Sequence, residues 1–341
     1  MKLLSPTQYI REAAAAIDAA TERVYLASMV IADHPATHQL IEALENAARR
    51  GVRVVVAADI FTFGEVSGGF LPFRYYSHGA RDTNRMVKVL KKAGVRFHWL
   101  GRGRITIYHG RTHSKWCVAD DIVFTFGGVN LYEGGILNND YMFCIKDAKL
   151  ADRIVLEQQR VQQAESRSTN YHSSIYEHND MTVLIDGGLI GQSVIYKRAV
   201  ELAERATHIT FVSQYCPTGK LARVLKKKPA TIYFNRPAQA EGLNHIVIRL
   251  AQVLSGIKTL YEHPRYLHAK CIIFTLPDNS KVAITGSHNF AHTGVLLGTR
   301  EVALETSDSE TIRQLEAFIE AEVAPTKPAT HGYNVAPRIN R

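Results

Sequence analysis

The chain has 341 residues and a formal net charge of +9, with a sequence pI near 9.3. That length buries a large core, as one large or two ordinary domains, and no run of about 18 uninterrupted apolar residues exists to cross a bilayer. The positive balance favours an anionic partner, nucleic acid or an acidic membrane surface, with solubility alone as the plain alternative.

The N-terminus lacks the basic-then-apolar order of a signal peptide, because Ser5, Pro6, Gln8, Arg11 and Glu12 interrupt it. Cys117, Cys144, Cys216 and Cys271 are widely spaced in apolar runs, which predicts buried thiols in a reducing, cytoplasmic setting. In chain order, Ser5-Pro6 opens an alanine-rich helix to Ala20, and RVYLASMVI follows as a buried strand. A helix from Ala36 to Arg50 stops at Gly51, and VRVVVAAD is the next strand, so the chain reads as an α/β alternation. The stretch from Phe61 to Asp82 is too rich in glycine and aromatics for a regular element. It reads either as a lid or substrate-contact loop or as a packed surface loop. A helix from Asn84 to Ala93, the strand RFHWL and the basic loop GRGRITIYHGR then lead to His113.

Beyond Asp140, YMFCIKD reads as a strand and AKLADRIVLEQQRVQQ as a helix, and the polar run from Ala164 to Asp180 is the expected connection between halves. A second series follows: TVLID, a helix from Ile190 to Arg205, HITFVSQY, a short helix in GKLARVLKKK, TIYFN, a helix from Leu243 to Leu254, and TLYEH. The order parallels the first series and predicts an internal duplication. REVALET and a helix from Ser309 to Ala321 close the fold, and TKPATHGYNVAPRINR reads as a disordered basic tail. The expected units are residues 1–165 and 180–323, with 324–341 as the tail.

The chemistry-bearing residues repeat with this duplication. His113 and Lys115 stand two apart before the strand-like WCVA, so they point to one face. Asp120 ends that strand, and Gly127-Gly128-Val129-Asn130 ends the next with small residues that admit a close approach. The same order recurs in His268, Lys270 and Gly286-Ser287-His288-Asn289, and each copy is followed by an acid, Asp140 or Glu301. A lone His-x-Lys is weak evidence; the joint repeat carries the reading.

This repeat resembles the signature of the phospholipase D superfamily, His-x-Lys-x-x-x-x-Asp followed by Gly-Gly/Ser-x-Asn. The first copy matches in full at His113, Lys115, Asp120, Gly127, Gly128 and Asn130; the second has Thr275 where the aspartate belongs, with Asp278 out of register. The resemblance runs from about residue 10 to about residue 322. It implies an α/β fold of two duplicated α-β-α sandwich halves, packed as a pseudo-twofold dimer within one monomeric chain. It also implies that the motif aspartate braces its hairpin, that His113 is the nucleophile forming a phosphohistidine, and that His268 is the general acid. Asp140 is expected on His113 and Glu301 on His268, each fixing a ring tautomer.

Two histidines, two lysines and two asparagines suit a phosphodiester. Lys115, Lys270, Asn130 and Asn289 supply donors for the equatorial oxygens of the transition state, so no metal and no cofactor is called for. One imidazole must be neutral to attack and the other protonated to serve the leaving alkoxide. Gly128, Ser287 and Arg111 are read as substrate-binding, while Arg102, Arg104 and Arg111 equally form a solvated basic loop. Asp120 taken alone is a turn residue, Asn130 and Asn289 are alternatively helix caps, and His98, His109 and His288 are read as ordinary surface or satisfied core residues.

The Gly-Gly-Val-Asn segment is similar to that of bacterial cardiolipin synthases, which implies phosphatidyl transfer from an anionic phospholipid to an alcohol, or hydrolysis. Phe61, Phe63, Phe70, Phe73, Tyr75 and Tyr76 suit a lipid-facing mouth, with the protein peripheral at the inner membrane face. A nuclease is the alternative, with Arg74, Tyr75, Tyr76 and Arg81 lining a nucleic-acid groove. A third reading is a non-catalytic phosphate binder, with Thr275 as a sign of decay.

Overall fold

The computed structural model describes residues 1–68, 77–101, 110–240 and 242–324. Seven strands form the first sheet: β1 (Lys2–Leu4), β2 (Arg23–Ser28), β3 (Arg53–Asp59), β4 (Arg96–Leu100), β5 (Trp116–Ala119), β6 (Ile122–Thr125) and β7 (Met142–Lys146), in the order β1-β7-β6-β5-β2-β3-β4. Seven more form the second: β8 (Ser174–His178), β9 (Met181–Gly187), β10 (His208–Val212), β11 (Ala230–Tyr233), β12 (Cys271–Thr275), β13 (Lys281–Gly286) and β14 (Arg300–Thr306), in the order β11-β10-β12-β13-β14-β9-β8. Aligned on their hairpins, β5-β6-β7 match β12-β13-β14, and the parallel pair β2-β3 matches β10-β11. The chain is an α/β duplication.

The first half adds helices α1 (Pro6–Ala19), α2 (His38–Arg49), α3 (Phe61–Val66), α4 (His78–Lys92), α5 (Glu133–Leu137) and α6 (Ala148–Ser166). The second adds α7 (Val194–Arg205), α8 (Gly219–Leu225), α9 (Gly242–Ser255), α10 (His292–Leu297) and α11 (Ser309–Phe318). Along β2, Val24 and Leu26 join a core with α1, α2 and α4, while Tyr25 and Ala27 face a second core. That two-residue period marks a sheet covered on both sides. The second core holds residues of both sheets together with Ile154 of α6 and Leu315 of α11, so the halves share one interior. Burial of this common apolar layer fixes one half against the other. The predicted start of α1 is realised as a capping box: Gln8 N–H donates to Ser5 Oγ, and Ser5 N–H donates to Gln8 Oε1.

Several expected elements differ. The Ala164–Asp180 connection contains β8, which pairs with β9 through alternating half-buried residues. TLYEH is not a strand; it is tied to β11 by Leu260 N–H to Ile232 O and by the Thr259 hydroxyl, without a regular ladder. The glycine-rich stretch after β3 includes α3, and α4 begins at His78, six residues ahead of expectation, with Ser77 Oγ accepting from Ala80 N–H. Phe70, Phe73, Arg74, Tyr75, Tyr76, Arg102, Arg104, His109 and the tail beyond Ala324 lie outside the described residues.

Asp120 is a brace. With φ of 50° it turns its carboxylate onto the start of β2, accepting from the N–H groups of Thr21, Glu22 and Arg23 at 2.9, 3.0 and 2.9 Å. These bonds outweigh its partial desolvation and hold its carboxyl below the ordinary value. In the second half the Thr275 carbonyl receives Thr207 N–H and Thr207 Oγ1 at 2.8 and 3.1 Å, so main chain replaces the missing carboxylate. Asp278 instead closes its own turn onto Ser280. Asp120→Asn, which keeps tolerance of positive φ but loses one acceptor oxygen, is expected to lower unfolding free energy by about 1–2 kcal/mol in urea titration. Turnover per folded molecule should stay near wild type.

Candidate active site

Each histidine-lysine pair lies on extended chain immediately before a hairpin strand, and each is stitched to the opposite half. His113 and Ser114 donate backbone N–H groups to Arg300 O at 2.9 and 3.1 Å, and Arg300 N–H returns a bond to Arg111 O at 2.8 Å. Likewise His268 and Ala269 both donate to Asn139 O at 2.9 Å, and Asn139 N–H bonds Tyr266 O at 2.8 Å. Residues 139 and 300 immediately precede the two acids, so each bridge carries a carboxylate across to the other half's histidine.

The expected pairing is therefore reversed. Glu301 Oε1 lies 2.9 Å from His113 Nδ1, and Asp140 Oδ2 lies 2.7 Å from His268 Nδ1. Within each half the acid sits at the start of the strand after the hairpin, Glu301 in β14 and Asp140 two residues before β7, while the histidine loop reaches toward the partner half, which sequence order does not reveal. Both carboxylates are buried, and each imidazole that donates Nδ1–H keeps its Nε2 lone pair free for chemistry.

Glycines set this geometry. A Cβ on Gly127 would meet Tyr141 O at 1.9 Å, and one on Gly286 would meet Val302 O at 2.3 Å. The hairpins thus press against the strands that present the two acids. Gly128 and Ser287, expected to contact substrate, grip carboxylates instead. Gly128 N–H donates to Asp140 Oδ1 at 3.2 Å, and Ser287 Oγ donates to Glu301 Oε2 at 2.5 Å. Arg111 is also corrected: its guanidinium is buried and paired with Asp59 at 2.9 Å, bracing the end of β3 rather than facing a ligand.

Lys115 and Lys270 are both buried, and each Nζ donates to the backbone carbonyl of its own motif histidine. Lys115 feels both Glu301 and Asp140, and Lys270 feels Asp140, Lys115 and Glu301. The two motifs thus occupy one electrostatic site. Burial lowers Lys115 and pushes Lys270 down to about 7, the carboxylates opposing the shift in each case. Asn130 and Asn289 are not helix caps; Tyr132 and Ala291 hold those positions. Among the described residues each keeps a buried Oδ1 without a hydrogen-bond partner, a lone pair able to accept from a donor such as a water or hydroxyl.

Burial, helped by Lys270 and Lys115, pushes His268 down to about 4 against the pull of Asp140. For Asp140, burial acts upward, but the His268 hydrogen bond and the charges of His268 and Lys270 outweigh it and leave the carboxyl low. Burial acts upward on Glu301 as well, and His113, His288 and Ser287 bring it down to about 2. His288, set aside in the sequence as an ordinary residue, is buried within the field of Glu301 and His113 and pushed down to about 4 chiefly by burial. Its counterpart is the apolar Val129, so the repeat itself held no signal for it.

These shifts set an acid limit on stability. Folded His268 and His288 bind protons more weakly than unfolded histidine at about 6.5, so stability falls as pH drops from about 6.5 to about 4, by up to about 3 kcal/mol for each. Glu301 adds a further loss as pH falls from about 4.5 toward 2. Urea midpoints measured between pH 7 and 4 should decline, and His288→Gln should make the decline shallower.

The family model for the cardiolipin synthase PLD-like domain matches residues 14–161. No curated protein matches the chain. Among solved structures, the fold is similar to phosphatidylserine synthase from Haemophilus influenzae Rd KW20, at 15% identity and TM-score 0.68 over 94% of this chain and 85% of that one. It is also similar to polyphosphate kinase from Porphyromonas gingivalis, at 13% identity and TM-score 0.59 over 94% of this chain and 46% of that one. Residues 14–161 are thus similar to the PLD-like domain of the cardiolipin synthase family, and a second half that repeats the same sheet carries the second His-x-Lys motif.

Proposed function

We propose that the protein transfers a phosphatidyl group from a phospholipid to an alcohol or to water through a phosphohistidine, without a metal. The observation that carries this reading is the crossed pairing: each imidazole is oriented by a buried carboxylate of the other half, around two shared lysines. His113 is the more open ring, with 23% of its side chain exposed against 11% for His268. It is assigned as nucleophile.

In the first step His113 Nε2 bonds to phosphorus, the bond to the leaving oxygen breaks, and His268 Nε2 gives that oxygen a proton. In the second step His268 takes a proton from the incoming alcohol or water, whose oxygen displaces His113. A phosphodiester anion beside Lys115 and Lys270 offsets their charge, so its arrival raises His268 from about 4 and lets the ring take up from solvent the proton it later gives. The lysines and the amides of Asn130 and Asn289 meet the equatorial oxygens.

The lipid class is supported by the family description and by the phospholipid product in the name of the synthase of similar fold. Incubation in EDTA with phosphatidylglycerol vesicles and, separately, with labelled single-stranded DNA tests it. Lipid products alone support phosphatidyl transfer, DNA cleavage alone assigns a nuclease, and neither product indicates a phosphate-binding homologue.

A further inference from the structure

The duplication places α4 and α9 at equivalent positions, after the second parallel strand of each sheet, yet they treat their apolar residues in opposite ways. In α4, Ala80, Met86, Val87 and Leu90 are buried, and the outer face carries Arg81, Asp82, Arg85, Lys88, Lys91 and Lys92. In α9, Ile248 is fully buried, but Ile246, Leu250, Val253 and Leu254 are 59, 57, 74 and 78% exposed. Those four stand at i, i+4, i+7 and i+8, forming one continuous stripe on the outside of the helix. Leu260, tied to β11, is exposed as well.

The surroundings of the stripe are basic. From Gly242 to Tyr261 the sequence contains no aspartate or glutamate. Arg249, Lys258, Lys226 and Lys227 are exposed around the helix, and among the described residues none of them pairs with a carboxylate. Lys226 Nζ comes within 3.9 Å of where a Cβ on Gly256 would stand, just past the C-terminus of α9. A solvated helix hides such an apolar stripe, and a cluster of unpaired cations beside it favours an anionic surface. An apolar face flanked by Arg249, Lys258, Lys226 and Lys227 is complementary to an anionic bilayer, where leucines enter the acyl boundary and lysines meet phosphates.

The helix also adjoins the candidate site. Asn244 Oδ1 at its start accepts from Tyr215 Oη at 2.8 Å. Gln214 Nε2 links Tyr215 Oη to Tyr266 Oη at 3.1 and 3.2 Å, two residues ahead of His268. We propose that α9 is an interfacial docking helix that seats the protein on an anionic lipid surface, with its N-terminal end beside the mouth of the site. This deepens the phospholipid reading by locating the membrane contact, and it is tested by binding rather than turnover.

The full chain is sedimented with vesicles of phosphatidylcholine containing phosphatidylglycerol and with vesicles of phosphatidylcholine alone. Binding should favour the anionic vesicles and weaken with salt. Leu250→Ser/Leu254→Ser should weaken partitioning at least tenfold with melting unchanged, and Arg249→Glu/Lys258→Glu should remove the preference for anionic lipid. Undiminished partitioning of the serine variant overturns the proposal. So does light scattering that finds a wild-type dimer and a monomeric serine variant, which assigns the stripe to a second copy of the chain. A protein that docks through α9 but cuts only DNA keeps the docking helix and removes the lipid substrate, so the two readings fail separately.

Discussion

Replacing His113 with asparagine is expected to lower turnover of a phosphodiester by at least about 10⁴-fold and to remove the covalent intermediate. Asparagine retains a polar group near Glu301 but offers no nitrogen lone pair to phosphorus. The proposed intermediate is a phosphoramidate, which survives alkaline denaturation better than acid, so the reaction is stopped in alkaline denaturant and digested for mass spectrometry. Wild-type protein should carry the adduct on the peptide containing His113. An adduct that persists in the His113→Asn variant, on the peptide containing His268, would exchange the roles of the two rings while leaving the shared site intact.

The second large effect concerns the two acids. Asp140→Asn and Glu301→Gln should each lower kcat by about 10²–10⁴-fold, since a neutral partner no longer fixes the tautomer or stabilises the cationic ring. They should do so through different histidines. In nitrogen-15 spectra, Asp140→Asn should displace the Nδ1–H signal of His268 and leave that of His113 in place; Glu301→Gln should do the reverse. These two bonds, at 2.7 and 2.9 Å, join residues 128 and 188 positions apart along the chain. Movement of the signal within the same half instead would contradict the crossed arrangement.

The chemistry-bearing residues were legible in the sequence because a duplication prints its essential side chains twice. His113 and His268, Lys115 and Lys270, and Asn130 and Asn289 could be aligned against each other without a second chain. The strands were legible for the same reason that they fold: β2, β3 and β5 are largely apolar runs buried on both faces. Spatial pairing was not legible. Asp140 follows His113 and Glu301 follows His268 at similar intervals, so same-half pairing and crossed pairing predict the same sequence, and only packing of the halves separates them. The carboxylate contacts of Arg111, Gly128 and Ser287 were not legible, because a residue type suited to phosphate is equally suited to a buried carboxylate. Their partners Asp59, Asp140 and Glu301 are brought there by tertiary structure. The β8 strand was hidden in a polar run because it lies at the sheet edge, where only one neighbour and partial burial shape its composition.

The same packing explains why neither half suffices. The backbone bridges at Arg300 and Asn139 place each acid against the opposite ring, and Thr285 Oγ1 donates to Phe126 O across the common core at 3.0 Å.

The central claim is that the two motifs serve one phosphorus atom, and a crystal structure with tungstate addresses it most directly. The account predicts a single oxyanion per chain, touched by Nε2 of both His113 and His268 and by the amino groups of Lys115 and Lys270. Two oxyanions, one held by each motif with the other motif out of reach, would contradict it.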